Sequence, residues 1–332
     1  MSLRWVVIAH PVVAEDADAS TADVLDQVRL VEAGLVRLGR PCTTVAVRGG
    51  RVWEHTASFS GAVVFNLLEA PPGRPQLHAW ATTALELLGV SFTGSSAGAL
   101  WLTTDKIATR MLLRDGGLPI ADGGRLDLRR PAVFDRVPPP WIVKPAWEDA
   151  SIGLEGKPVC DTPSEALARG RALALRFPDQ PILVEHFLPG REFNVSLLAG
   201  ETGVDALPVA EIAFLDFPPD VPALVGYEAK WASGSFEETH TVRRFPGVED
   251  AALLSRLREL ALTAWELCAL AGYARVDLRL DESGAPRILE VNSNPCLAPD
   301  AGFMAAATHA GISSPEVVRR ILAAAHRPAD AA

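Results

Sequence analysis

The chain has 332 residues, enough for a large buried core and two or three subdomains. Its 41 acidic against 31 basic residues give a net charge of −10, so it lacks the basic surface that non-specific nucleic-acid binding needs. The four cysteines, Cys42, Cys160, Cys268 and Cys296, show neither metal spacing nor a disulfide framework, and no apolar run approaches the ~20 residues of a membrane span. These features read as a cytoplasmic protein.

In chain order, WVVIA at residues 5–9 reads as a buried first strand; His10-Pro11 ends the apolar run too early for a signal peptide. A helix is expected over 23–38, with Val24, Val28, Val31, Leu35 and Leu38 at helical spacing and Gly39 as its stop. Strands over 43–47 and 62–67 and a helix over 77–88 follow, then a turn, VSFTGSS. Strand and helix alternate through residues 1–103, which predicts a mainly parallel sheet. Ligands of such sheets sit beyond the strands' carboxyl ends, so the loops after Ala9 and Asn66 are candidate substrate walls.

Thr104-Asp105-Lys106 opens the next helix, which Gly116-Gly117 ends. A lysine in a first turn adds positive charge to the positive end of a helix dipole, a combination that suits a bound anion. Residues 130–140 read as a proline-rich connector, and the strand at 141–143 leads into Lys144, whose desolvation an anion would offset. The loop at 148–153 brings Ser151 and backbone N–H groups that can cradle phosphate. Thr162-Pro163-Ser164-Glu165 is a capping box for a helix to about Phe177. A strand over 181–187, a Leu188-Pro189-Gly190 turn and the stretch REFNVSLLAG come next. Residues 207–245 are less regular. A long helix over 249–271 carries a stripe of Leu253, Leu257, Leu260, Ala264, Leu267 and Ala271, and a last helix from Ser314 turns Val317, Ile321 and Leu322 inward.

The most informative stretch is 273–297, YARVDLRLDESGAPRILEVNSNPCL, which reads as two strands joined by a turn, with Pro286 ahead of the second strand. Alternation puts Arg275, Asp277 and Arg279 on one face and Val276, Leu278 and Leu280 on the other; in the second strand Glu290 and Asn292 share a face opposite Leu289 and Val291. Paired as a hairpin, Asp277, Glu290 and Asn292 would converge. Two carboxylates and an amide oxygen are hard ligands that suit Mg²⁺, and Arg275 beside them can balance charge on a phosphoryl group. The same alternation is ordinary on a solvated hairpin, and the residues alone leave both readings open.

RVDLRLDESGAPRILEVNSNP resembles the magnesium-binding segment of ATP-grasp ligases, in particular the D-alanine–D-alanine ligase family, with its Arg-x-Asp and Glu-x-Asn-x-x-Pro elements. The resemblance implies an α/β fold, α+β in its ATP-grasp part: an N-terminal open parallel sheet at 1–103, a central subdomain at 104–182 and a C-terminal one at 183–332, with nucleotide between the last two sheets. It implies ATP and Mg²⁺ as cofactors, two ions, with Mn²⁺ as a substitute, on Asp277, Glu290 and Asn292. Lys106, Lys144, Ser151 and Lys230, the last in a Tyr-Glu-x-Lys segment, would meet the phosphates. Glu185, His186 and Phe187 would follow the adenine and Glu192 the ribose hydroxyls, since ionised carboxylates accept from groups that donate. Arg275, with Ser151 and Lys230, would be catalytic. A homodimer is implied by resemblance; nucleic acid and membrane are not expected partners.

The amino-acid half departs from the family. Its glycine-rich first turn is here His10-Pro11-Val12-Val13-Ala14-Glu15-Asp16, and its His-Gly and acidic loop is Leu68-Glu69-Ala70-Pro71-Pro72-Gly73-Arg74. Ala150, Trp231 and Cys296 stand at a serine, a tyrosine and a glycine, and Ala301-Gly302 at a serine–leucine pair. Unmade buried hydrogen bonds cost ~1–3 kcal/mol each, so such a site should reject D-alanine. His10, Glu15, Glu69, Arg74, Cys296, Ala301 and Gly302 are then the candidate substrate residues, with His10 and Arg74 as carboxylate contacts. The expectation is an ATP-dependent carboxylate–amine ligase acting on a different amino acid or short peptide. The alternatives are a true D-alanine–D-alanine ligase and an ATP-binding regulator that has lost ligation.

Overall fold

A computed structural model describes residues 5–14, 23–71, 73–218, 221–232 and 234–326, so Glu15 lies outside the described residues. Three sheets organise the chain. In the first, β1 (Val6–Pro11) pairs in parallel with β2 (Cys42–Val47) and β3 (Val63–Asn66), and β3 with the two-residue β4 (Ser91–Phe92), in the order β2-β1-β3-β4. Val6 to Ala9 are wholly buried because helices cover both faces, as the unbroken apolar run requires. α1 (Val24–Arg37) closes one face and α2 (Trp80–Leu87) the other. β4 lies inside the stretch read as a turn; two residues are too few to show alternation.

α3 (Ala97–Thr104) and α4 (Lys106–Asp115) are separated by Asp105, whose carboxylate accepts from the Ile107 and Ala108 amides at 2.9 and 3.1 Å. The N-cap is thus Asp105, which places Lys106 at the first helical position. α3 was not anticipated, because its mostly apolar sequence lacks a polar face.

The second sheet is antiparallel, β5 (Gly123–Arg125), β6 (Trp141–Pro145), β7 (Val159–Cys160) and β8 (Ile182–His186) in the order β5-β8-β6-β7. α5 (Pro163–Arg176) backs it, started by the expected Thr162–Glu165 capping box. The third sheet holds β9 (Glu192–Ala199), β10 (Val204–Ala206), β11 (Ala210–Phe214), β12 (Thr241–Arg244), β13 (Tyr273–Leu280) and β14 (Pro286–Asn292), ordered β12-β11-β9-β13-β14 with β10 also on β9. The irregular 207–245 stretch thus contributes two strands and two single-turn helices, α6 (Tyr227–Trp231) and α7 (Phe236–His240).

α8 (Ala251–Leu267) covers this sheet with Leu254, Leu257, Leu260, Ala261 and Ala264, while Leu253 and Leu267 lie at the margin. The doublets Leu253-Leu254 and Leu260-Ala261 offer two overlapping stripes, and packing selects the one rotated by a residue from that expected. The hairpin also carries a correction. Asp277 opposes Glu290, but Leu278 opposes Ile288, so Leu289 is the extra residue of a β-bulge. Ile288 and Val291 enter the core, and Leu289 turns to the cleft rather than inward. Pro286 is inside β14.

α9 (Gly302–His309) and α10 (Ser314–Ala323) return to the first sheet and share its core, α10 lying along α1. Gly34 makes the approach: a Cβ there would meet Val318 Cγ2 at 2.9 Å. Gly34→Leu should therefore lower unfolding free energy by about 1–3 kcal/mol through overpacking, read from urea denaturation midpoints.

Candidate active site

An open cleft lies between the second and third sheets. Lys106, Lys144, Ser151, Glu185, His186, Phe187, Glu192, Lys230, Asp277 and Glu290, all sequence candidates, line it together. They come from α4, β6, the 148–153 loop, β8, β9, α6 and the hairpin, elements separated by up to 184 positions in the chain (290 − 106).

Lys106 is buried at the head of α4. Its ammonium donates to Glu290 Oε1 at 2.9 Å, Asp149 Oδ1 at 3.2 Å and the Glu148 carbonyl at 2.6 Å. Burial would weaken that charge, but Glu290 and Asp149 overcome it and hold the lysine protonated. Burial likewise opposes ionisation of Glu290, yet Lys106 and Lys144 pull it down to about 2. Glu290 is therefore a carboxylate at any physiological pH.

Lys144, on an internal strand, reaches Glu185 Oε2 at 2.6 Å, and Arg110, one turn after Lys106 on α4, grips the other oxygen. Glu185 is 2 % exposed; burial raises its pKa, the two cations lower it, and the cations win. Glu185 is thus held in ion pairs with both cations. Glu192 pairs with Arg279 at 3.1 Å, and the Arg279 guanidinium lies over Phe187, 4.9 Å from its ring centroid. Burial pushes Glu192 upward against that arginine. The amides of His186 and Phe187 donate to Asp122 and Pro140 carbonyls at 2.8 Å, and Leu188 joins the cleft lining beside them. His186 Nε2 meets Glu282 at 2.8 Å.

Across the hairpin Asp277 faces Glu290 and Arg275 faces Asn292. Asp277 accepts from Arg275 at 2.7 and 2.8 Å and from Asn194 at 2.8 Å, and Asn292 Oδ1 accepts from the Asn294 amide at 2.9 Å. Arg275 and Asn292 thus adjoin the cleft-lining pair on the same strands. Among the described residues no three His, Cys, Asp or Glu side chains gather as a metal cluster; the candidate set is two carboxylates and one amide. In the loop, Ala150 and Ser151 both have positive φ, 53° and 65°, a strained pair for residues with side chains, and Ser151 Oγ donates to Val225 O at 2.7 Å. Gly153, at φ 84°, leaves 2.5 Å between a would-be Cβ and Pro145.

The candidate substrate residues divide. Glu69 and Cys296 lie near Asp23 and Gln27: Cys296 Sγ donates to Asp23 at 2.8 Å, and Gln27 accepts from the Leu297 amide at 3.1 Å. Burial, then Asp23 and Asp149, raise Glu69 to about 7. Ala301 caps α9 and Gly302 begins it, beside Arg243. The His10 ring turns back to Pro11 O at 2.8 Å, and Arg74 is an exposed residue heading a 3-10 turn, so neither is brought to the cleft lining. Sequence reasoning missed Arg110, Arg279, Asp149, Asn194 and Asp23. Arg110 was within reach, because i and i+4 share a helix face; Arg279 was seen on the polar face but not as a partner for Glu192.

A fold of three sheets, with a cleft between the second and third, is that of the ATP-grasp ligases, enzymes that form carbon–nitrogen bonds. The family model described as D-ala D-ala ligase C-terminus matches residues 128–323. The D-alanine–D-alanine ligase of Gluconobacter oxydans is 35 % identical over 256 residues, 77 % of this chain and 78 % of that one. The corresponding ligase of Nitrosomonas europaea is 32 % identical over 287 residues, 83 % and 88 % of the two chains. An uncharacterised protein of Sinorhizobium fredii, y4sG, is 33 % identical over 274 residues, 82 % and 77 %. A Bacillus anthracis D-alanine–D-alanine ligase complexed with ATP superposes with a TM-score of 0.72 at 18 % identity, covering 97 % of this chain and 96 % of that one, a likeness of fold. This chain belongs to the D-alanine–D-alanine ligase family. Among the described residues no helix is long and apolar enough to cross a membrane.

Two measurements check this electrostatic frame. Glu185→Ala strands Lys144 and Arg110 together and should cost about 3–5 kcal/mol of stability in denaturant melts. Glu69, at about 7 against 4.5 for an ordinary glutamate, holds a proton in the folded state. Its contribution is whole below pH 4.5 and fades as pH rises through 7. Glu69→Gln should accordingly match the parent near pH 4 and exceed it in stability at pH 8, by up to about 3 kcal/mol.

Proposed function

We propose that the protein is an ATP-dependent carboxylate–amine ligase whose amino-acid specificity differs from that of the relatives named D-alanine–D-alanine ligase. One observation carries the reading: three lysines distant in sequence, Lys106, Lys144 and Lys230, line one cleft together with Asp277 and Glu290 of the acidic hairpin. That charge arrangement suits a triphosphate held between cations and a metal.

In this reading ATP phosphorylates the carboxylate substrate, giving an acyl phosphate and ADP. The amine of the second substrate attacks the acyl carbon, phosphate leaves, and an amide remains. Lys106, Lys144 and Lys230 neutralise phosphate charge, and Ser151 with the loop amides closes over it. Arg275 steadies the transferring group and then the oxyanion. Glu185, with the segment from His186 to Leu188, lies along the base, and Glu192 accepts from the ribose hydroxyls.

The donor set fits Mg²⁺: Glu290 is ionised and stands opposite Asp277, and a hard ion needs only a few protein oxygens. Asp277, Glu290 and Asn292 would hold it, Mn²⁺ serving as a substitute. A magnesium ion held by these residues would supply charge neutralisation for the phosphate groups.

Altered specificity rests on Cys296, Ala301 and Glu69. Cys296 is spent on Asp23, and Ala301 offers no hydroxyl at the start of α9. Glu69 and Asp23 bring two carboxyl groups close enough to oppose each other's ionisation, an arrangement that suits a cationic group. The names of the relatives favour a second reading, D-alanine as both substrates.

Phosphate release with single amino acids and pairs, with products read by mass spectrometry, decides between them. Turnover that excludes D-alanine supports the first reading, strict D-alanine dependence the second, and nucleotide binding without turnover on any pair overturns both. Glu290→Ala should reduce turnover by roughly 10²-fold or more with the fold intact by circular dichroism.

A further inference from the structure

Arg110 stands behind the wall of the cleft rather than in it. It is buried on α4 and borders a small void with Thr103, Leu113 and Ile120, whereas Glu185, Lys144 and Ala121 line the cleft itself. Its Nη1 donates to Glu185 Oε1 and its Nη2 to the Ala121 carbonyl at 2.5 Å, so the guanidinium is fixed at two points. Gly123 leaves it room: a Cβ there would lie 3.0 Å from Arg110 Nη2 and 2.9 Å from Glu185 Cγ.

Glu185 turns its other oxygen to Lys144, at 2.6 Å. A carboxylate oxygen accepts more than one hydrogen bond, so Oε2 can take a ligand donor beside that ammonium. Its neighbours along the wall are apolar. Ile142 is its register partner on β6, and Phe187 and Leu188 follow it in the cleft lining. A polar group set in an apolar wall fixes the orientation of a bound ligand. Ionised, Glu185 can only accept, and it favours a base that offers an amine there; protonated, its hydroxyl would suit a carbonyl. Burial opposes the charge, and Lys144 and Arg110 outweigh it. The two cations are not equivalent. Lys144 lines the cleft, where in the reading above phosphate shares its charge, while Arg110 lies outside the lining and keeps its charge for Glu185.

We infer that Arg110 is a positioning residue for nucleobase selectivity: from behind the wall it keeps Glu185 an acceptor-only group facing the base, so that the site takes a 6-aminopurine and rejects a 6-oxopurine. This rests on the nucleotide reading above, and it places the choice of base with a side chain that the nucleotide does not touch. Rejection follows because a 6-oxopurine sets a carbonyl oxygen against a buried carboxylate and leaves both without a donor.

Calorimetry of Mg²⁺–ADP and Mg²⁺–inosine diphosphate binding to the full chain reads this selectivity without any amino-acid substrate. The parent should bind ADP about ten- to a hundredfold more tightly than inosine diphosphate. Arg110→Gln removes the charge, and Arg110→Met removes charge and hydrogen bonds together; each should cut the ratio to about threefold or less, chiefly by weakening ADP. Arg110→Lys restores the charge and should keep the ratio within about threefold of the parent. Thermal midpoints identify which charge-free variant is folded at the assay temperature, and the ratio is read on that one. A folded charge-free variant with the parent's ratio overturns the inference, as does an Arg110→Lys variant that loses as much as Arg110→Gln. A parent that binds both nucleotides alike also overturns it and leaves the nucleotide reading standing; a parent that binds neither overturns that reading, and this inference with it.

Discussion

Mutual neutralisation of buried charge across the cleft is the constraint from which the site follows. Lys106 cannot be buried at a helix N-terminus, where the dipole also repels it, without carboxylates to meet it. It finds Glu290 on the hairpin and Asp149 on the loop, and so ties α4, β14 and the 148–153 segment together. Lys144 and Arg110 do the same for the second sheet by sharing Glu185. These pairs make poor stabilisers, because desolvation consumes most of their attraction. Their value lies elsewhere. Such a set can exchange partners at modest cost when an anion and a cation enter together, since Lys106, Lys144 and Glu185 are already largely desolvated.

Legibility in the sequence followed the kind of signal each element carries. β1 and α1 were readable because a continuous apolar run and a 3.6-residue period are local properties. The hairpin was readable for the same reason, and with it the convergence of Asp277 and Glu290. β10, β11 and β12 were not, since short strands take their conformation from neighbours far along the chain. The β-bulge at Leu289 shows the limit sharply. Strict alternation would send Leu289 to the core, and one inserted residue sends Ile288 there instead, while leaving Glu290 aimed at the cleft.

The site divides in the same way. Residues whose chemistry stands alone, such as a strand-borne lysine or a capping aspartate's neighbour, announced themselves. Residues that matter as partners did not. Arg279 serves Glu192 and stacks on Phe187; Asn194 holds Asp277; Asp23 takes the Cys296 thiol. None of these pairings can be inferred from one position, because the first two depend on the register of β9 against β13 and the last on how distant segments pack.

The pocket around Glu69 carries that logic toward the substrates. Cys296 follows the hairpin directly, whereas Asp23 and Gln27 lie on the first turn of α1 and its cap, and all three are coupled through hydrogen bonds that run between the first and third sheets. A change at position 296 is thus felt at the start of α1, and the reverse. Glu69 faces this junction from the loop after β3, its carboxyl raised by burial and by the aspartates around it. A cationic group entering there would restore its ionised form, gaining the attraction of a charge that the free pocket suppresses. Recognition would then be strongest for a substrate whose positive charge is delivered to a fixed point, and Asp149, which pairs with Lys106 and whose field also reaches Glu69, links that point to the phosphate end of the cleft.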